Sequence, residues 1–366
     1  MSESLNTVLL FLPLIVIVWL ANQAERRRAD ASATIWRRLT YAVVAGFYGI
    51  VLLLGLLLML GTTIGTIPLL EDFVASISLR AESGLPVDRI IQSLPSIGLG
   101  ISIASAVGLL FLWKPVRRVL ARLLPIDADS PVHAVALSFT MLIVLNMVVI
   151  LAIGLDTLTE VVVQQAAEGA LDDVSPAMLG GLWVQQGLMA LWALIGVGWL
   201  SRRPLGETLA RLGIVRPSLR DVAVGIGAGF SAVLVSMILS AVATGLGVGV
   251  DPDVQGLNEV LLGPLLGSAA GILTIGFAAA LGEETLFRGA LQPRFGILLT
   301  TILFAITHNQ YGLSLSTVVV FAAGLIFAWL RHRYNTVAAM LAHATYNITL
   351  GLLALLALRL LENTQI

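Results

Sequence analysis

Cysteine is missing from all 366 residues. No disulfide, thiolate nucleophile or Cys-ligated metal is therefore available to this chain. Charge is scarce as well: Asp, Glu, Lys and Arg make up 12% of the residues, against about 25% in soluble domains. Lysine occurs once, at Lys114, and histidine four times. The net charge of −1, with no basic tract standing apart from a membrane edge, argues against a nucleic-acid-binding protein. What fills the space is apolar: 58% of the residues are hydrophobic and the mean hydropathy is +0.95. So few polar groups cannot cover a water-soluble surface.

Apolar runs near 5–21, 41–66, 97–113, 134–155, 181–200, 222–248, 265–292, 296–312, 313–331 and 336–358 predict an all-α, polytopic transmembrane bundle of about ten spans. The first run resembles a signal peptide, but its leading segment carries Glu3 and no positive charge, while Arg26, Arg27 and Arg28 follow it. That order predicts an uncleaved helix with its N-terminus outside. Placing 22–40, 114–133, 201–221, 282–295 and 331–335 in the cytoplasm puts 18 of the 21 Lys and Arg there, leaving Arg80, Arg89 and Arg359 outside. The positive-inside rule therefore favours this orientation in the cell membrane. The outer segment 156–179 is acidic, with Asp156, Glu160, Glu168, Asp172 and Asp173; it and 68–96 are expected to form short amphipathic surface helices.

The basic, proline-containing linker from Ser201 to Asp221 divides the chain. Residues 1–200 read as a five-helix membrane region without visible chemistry, and residues 201–366 hold nearly all the intramembrane polar groups. No internal repeat marks a transporter built from inverted halves. Two glycine motifs are set aside. Val224-Gly-Ile-Gly-Ala-Gly-Phe230 lacks the preceding strand that a dinucleotide loop needs, so Gly225 and Gly229 are expected to let helices pack closely. Gly61 to Gly65 is read the same way. His133 and His332 border spans and are expected to be solvated interfacial residues.

Ionisable groups inside a membrane are costly and point to function. Three clusters qualify, all late in the chain: Gly282-Glu283-Glu284-Thr285-Leu286-Phe287-Arg288, Phe304-Ala305-Ile306-Thr307-His308, and His343-Ala344-Thr345-Tyr346-Asn347. Glu284 and Arg288 are four apart and can pair on one helix face. Glu283, about 100° around the helix, is the freer carboxylate and the candidate base. His343 and Asn347 share a face by the same spacing. A turn at Gln292-Pro293-Arg294 would put Glu283 roughly 15 Å and His308 roughly 22 Å along their helices. His343 would lie about 12 Å beyond the turn at Asn335, with Asn347 about 6 Å deeper. The four groups are thus expected in one layer, within the bilayer and nearer the cytoplasmic side. A carboxylate, two imidazoles and an amide can activate water: Glu283 takes the proton, His308 positions the water, and His343 and Asn347 donate to the developing oxyanion.

These three motifs, in order, resemble the CAAX protease and bacteriocin-processing (CPBP, or Abi) family, whose pattern is E-E-x-x-x-R, F-x-x-x-H and H-x-x-x-N/D. The resemblance covers about 200–358, with no departure at Glu283, Glu284, Arg288, Phe304, His308, His343 or Asn347. It implies a glutamic-type intramembrane endopeptidase similar to the type II prenyl-CAAX protease. On that resemblance Glu283 and His308 activate water, His343 and Asn347 form the oxyanion hole, and Glu284 and Arg288 support them. It implies a peptide or membrane-protein substrate, prenylated or bearing a leader, and no cofactor. Two other readings stay open. One is a zinc-dependent protease using Glu283, Glu284, His308 and His343, although H-E-x-x-H is absent. The other is a non-catalytic membrane scaffold or regulator. Oligomeric state is not readable from the sequence.

Overall fold

The computed structural model describes residues 3–28, 30, 32–64, 87–166 and 175–364. Within them the chain is helical. In the first half, α1 (Glu3–Arg26), α2 (Ala33–Ile64) and α3 (Val87–Phe111) are followed by the short α4 (Lys114–Leu120). Then come α5 (Pro131–Ile153), α6 (Leu155–Gln165) and α7 (Pro176–Gly196). The amphipathic α8 (Leu205–Leu212) leads into α9 (Leu219–Gly245) and α10 (Pro252–Leu266). α11 (Ala269–Glu283) runs into a π-helical segment (Glu284–Leu291) and α12 (Gln292–Thr307). α13 (Leu315–Arg333) and α14 (Thr336–Thr364) complete the chain.

Helix starts follow local chemistry. Ser130, Ser175 and Ser268 each accept from the backbone N–H three residues on. Ser218 and Asp221 form a reciprocal capping box at α9. Inside lipid a helix satisfies its own backbone, which is why so apolar a chain adopts no other element at these positions.

Among the described residues nine helical stretches are long and apolar enough to cross a bilayer. The two expected spans 265–292 and 296–312 are one continuous helical stretch, Ala269–Thr307, interrupted at Gly296, whose φ of 75° and ψ of 173° leave helical space. The turn therefore lies at Gly296 and not at Gln292-Pro293-Arg294. Pro293 sits in the first turn of α12, where a proline costs nothing. The eleven residues from 297 to 307 reach only about 16 Å, half a bilayer. α10 was not expected at all. Of the surface segments, α6 covers the start of 156–179, whereas 167–174 and 68–86 lie outside the described residues, as does Gly65.

α1 packs on α2, α5 and α7, and α3 lies between α2 and α5. α14 is the axis of the second half, flanked by α9, α11 and α13. The α9–α14 contact runs over glycine: a Cβ on Gly225 would lie 2.9 Å from the Ala338 carbonyl, and one on Gly229 2.6 Å from that of Ala342. The close-packing expectation for these glycines holds. α7 joins the halves, touching α1 on one side and α11 and the π segment on the other.

The arginine-rich segments meet at one end of the bundle. Arg28 reaches Asp127 at 2.6 Å and Arg202 reaches Asn22 at 2.6 Å. Arg294 donates to the Pro125 carbonyl and Arg211 to that of Gly289, both at 3.4 Å. His332 is exposed there as expected, and His133 is half-buried, its Nδ1 accepting from the Asp127 N–H at 2.8 Å. Leu10, Ile50, Leu53, Leu234 and Ile238 present apolar side chains outward along the spans. The protein is a multi-pass helical membrane protein.

Candidate active site

The π-helical turn is the base of the site. Its wider winding turns both Glu284 and Arg288 inward, and neither has any exposed surface. Arg288 Nε stands 3.4 Å from Glu284 Oε2, so the expected pair forms. Arg288 Nη2 also donates to the Gly324 carbonyl at 3.1 Å, and the guanidinium lies 4.2 Å above the centre of the Phe304 ring. A charge this deep requires such partners, because a lone one would carry its full desolvation cost.

The second Glu284 oxygen has a different partner. His343 Nδ1 donates to Glu284 Oε1 at 2.9 Å, which links Arg288, Glu284 and His343 in one buried chain. The His343 imidazole is stacked 5.0 Å from Phe327, with the rings 17° from parallel. Its orientation is therefore held from two directions, leaving Nε2 as its outward atom.

His308 ends α12. Its Nδ1 lies 3.0 Å from the Phe304 carbonyl. A carbonyl only accepts, so Nδ1 carries the proton in this bond and Nε2 of the neutral ring presents a lone pair. Tyr311 stacks on the imidazole, with ring centres 6.0 Å apart. Phe304 touches both histidines edge-on, at 5.1 Å for His308 and 5.9 Å for His343. One aromatic ring thus spaces the two imidazoles and covers the arginine.

Glu283 has no ion pair among the described residues. Its Oε1 accepts from Gln186 Nε2 at 3.3 Å, while Oε2 is buried with no hydrogen-bond partner among those residues. Gln186 lies midway along α7, which sets Glu283 level with the middle of that span. Gly282 allows this approach, since a Cβ there would fall 2.1 Å from Gln186 Oε1. Asn347, one turn beyond His343, donates one Nδ2 hydrogen to the Ile275 carbonyl at 3.4 Å.

The structure thus joins Glu284, Arg288 and His343 directly, connects His308 to His343 through Phe304, and sets Glu283 against Gln186 of α7. Glu283 and His308 do not hydrogen-bond to each other, and Asn347 bonds to backbone. Among the described residues no three His, Asp or Glu side chains gather as a metal-ligand group. Gln186, Tyr311 and Phe327 were missed from sequence. Tyr311 had a readable sign, three residues after His308 in the polar tract Thr307 to Tyr311, and Gln186 had one in the Gln185-Gln186 pair inside an apolar run.

No curated protein and no solved structure matches this chain. Residues 264–349 match the family model described as Type II CAAX prenyl endopeptidase Rce1-like, and Glu283, Glu284, Arg288, His308, His343 and Asn347 all fall within the match. With the three motifs in register, this segment is similar to the Rce1-like type II CAAX prenyl endopeptidases.

Proposed function

We propose that the protein is a glutamic-type intramembrane endopeptidase that hydrolyses a peptide bond of a membrane-associated substrate, prenylated or bearing a leader. The observation that carries this reading is the division of labour between adjacent carboxylates. Glu284 is neutralised by Arg288 and engaged with His343, whereas Glu283 Oε2 is unpartnered.

In the reaction, water lies between Glu283 Oε2 and His308 Nε2. Glu283 removes one proton as the water oxygen attacks the scissile carbonyl carbon. The carbonyl oxygen becomes an oxyanion and accepts from His343 Nε2–H and from the second Nδ2 hydrogen of Asn347. This role needs hydrogen on both His343 ring nitrogens, Nδ1–H on Glu284 Oε1 and Nε2–H on the oxyanion. Glu283 then returns its proton to the departing amine as the C–N bond breaks. Arg288 and Glu284 act only by positioning His343.

Residues 201–366 form the protease domain in this reading. Residues 1–200 complete one wall through Gln186. The site opens toward the cytoplasmic side of the cell membrane, and no metal takes part. Glu283→Gln should abolish cleavage with folding near normal, read by comparing protein and peptide termini in cells carrying either form at equal abundance. Termini unchanged by Glu283→Gln would point to a scaffold. About one zinc per chain, lost in His308→Ala, would point to a metalloprotease.

A further inference from the structure

A second feature lies on the far side of the π segment from the motif residues. A cavity of about 280 Å³ is enclosed by α1, α5, α7, the π segment and α12, and none of the seven motif residues lines it. Its wall is apolar, built by Phe139, Ile143, Trp192, Leu286 and Phe295. Its mouth is cationic, with Arg202, Arg203, Arg211 and Arg294 converging from three separate segments.

These arginines are not neutralised by protein groups. Among the described residues none is in an ion pair, and each reaches only a neutral oxygen: Asn22 Oδ1 for Arg202, and the carbonyls of Val197, Gly289 and Pro125 for the others. The two carboxylates at the rim are already engaged. Asp127 and Glu25 both face Arg28, at 2.6 and 3.4 Å, and Glu25 also accepts from Ser130. Burial pushes Arg202 and Arg211 down to about 10, and repulsion from neighbouring arginines adds to it, with Glu25 offsetting only part of the fall at Arg202. Four like charges held around an apolar hollow complement a ligand with an anionic head and an apolar tail.

We propose that this cavity binds an anionic phospholipid of the surrounding bilayer, its phosphate held by Arg202, Arg203, Arg211 and Arg294 and its nearest acyl segment lying along Trp192, Leu286 and Phe295. Planar guanidinium groups match phosphate oxygens in pairs, and basic clusters at the membrane edge attract acidic lipid heads. The volume lies just below the range of drug-sized ligand sites, about 300–1,000 Å³, so it takes the head and the first part of one chain. The four arginines belong to residues 201–366 and Phe139, Ile143 and Trp192 to residues 1–200, so the lipid would bridge the two halves.

The test is native mass spectrometry of the full-length protein in detergent, titrated with phosphatidylglycerol, phosphatidylcholine or inorganic phosphate. One phosphatidylglycerol should be retained, and phosphatidylcholine should bind at least roughly tenfold more weakly. Arg211→Gln with Arg294→Gln removes two charges that reach only carbonyls at 3.4 Å, and should weaken phosphatidylglycerol about 30-fold. Ala136→Phe fills the cavity and keeps every arginine, and should also lose the lipid. Melting without lipid identifies folded variants, and Ala136→Phe decides if the double variant fails to fold. Equal retention of both lipids, wild-type affinity in folded Ala136→Phe, or displacement of phosphatidylglycerol by equimolar inorganic phosphate would each overturn the proposal.

Discussion

At Glu284 one buried carboxylate meets Arg288 through one oxygen and His343 through the other. Removing either partner leaves the remaining charges unbalanced in a region with no exposure, which is why the pair cannot be dissected gently. Arg288→Ala should cost about 3–5 kcal/mol and lower the yield of folded protein, measured by thermal melting in detergent. Glu283→Gln, whose site lacks an ion pair, should melt near wild type; equal losses in both would refute separate roles. Gln186 has the opposite profile. It makes a single bond to Glu283, so Gln186→Leu should leave melting nearly unchanged while kcat falls roughly 10- to 100-fold through a misaimed base, with KM little altered. An unchanged kcat would reduce Gln186 to packing. The pairing of Glu284 with Arg288 is readable from i,i+4 spacing, but the bond to His343, 59 positions away, is not.

Elements behave less ideally than their hydropathy implies. The π winding over Glu284–Leu291 carries no sequence mark as plain as proline, yet it is what buries both charged side chains together. Likewise Pro293 looks like a helix breaker, but the break falls at Gly296, where a positive φ is tolerated. The outcome is a half-length α12 that ends at His308 inside the bundle, instead of a full span carrying it. Helix contacts were easier to foresee where small residues recur. Gly229→Val should force α9 from α14 and cost about 1–3 kcal/mol. Gly227→Val, on a face with nothing within 4 Å, should fold as wild type. Comparing folded yield and melting temperature of the two variants checks that the packed face is the one that matters.

Across the whole molecule, the Rce1-like match stops well short of the N-terminal half, yet α7 supplies Gln186 to Glu283. Residues 201–366 produced alone should therefore cleave substrate at least about tenfold more slowly than the full chain, through the lost Gln186 contact and a site opened to lipid. Co-expression with residues 1–200 should restore activity, assayed by release of the wild-type-specific termini. Restoration with Gln186→Leu in the supplied half would show that only the wall is needed. Composition, hydropathy and spacing by themselves determined that this is an all-helical membrane protein, which segments are apolar, where the basic segments fall, and which seven residues form the motifs. Those properties are local, because a lipid solvent imposes the same rule on each segment separately. Tertiary structure alone decided that Glu284 bonds to His343, that Phe304 spaces two histidines, that Gln186 reaches Glu283, and that four arginines from distant segments crowd one cavity. Each depends on how close two remote backbones come, and that distance is set by packing across the whole bundle, not by any stretch of chain read singly.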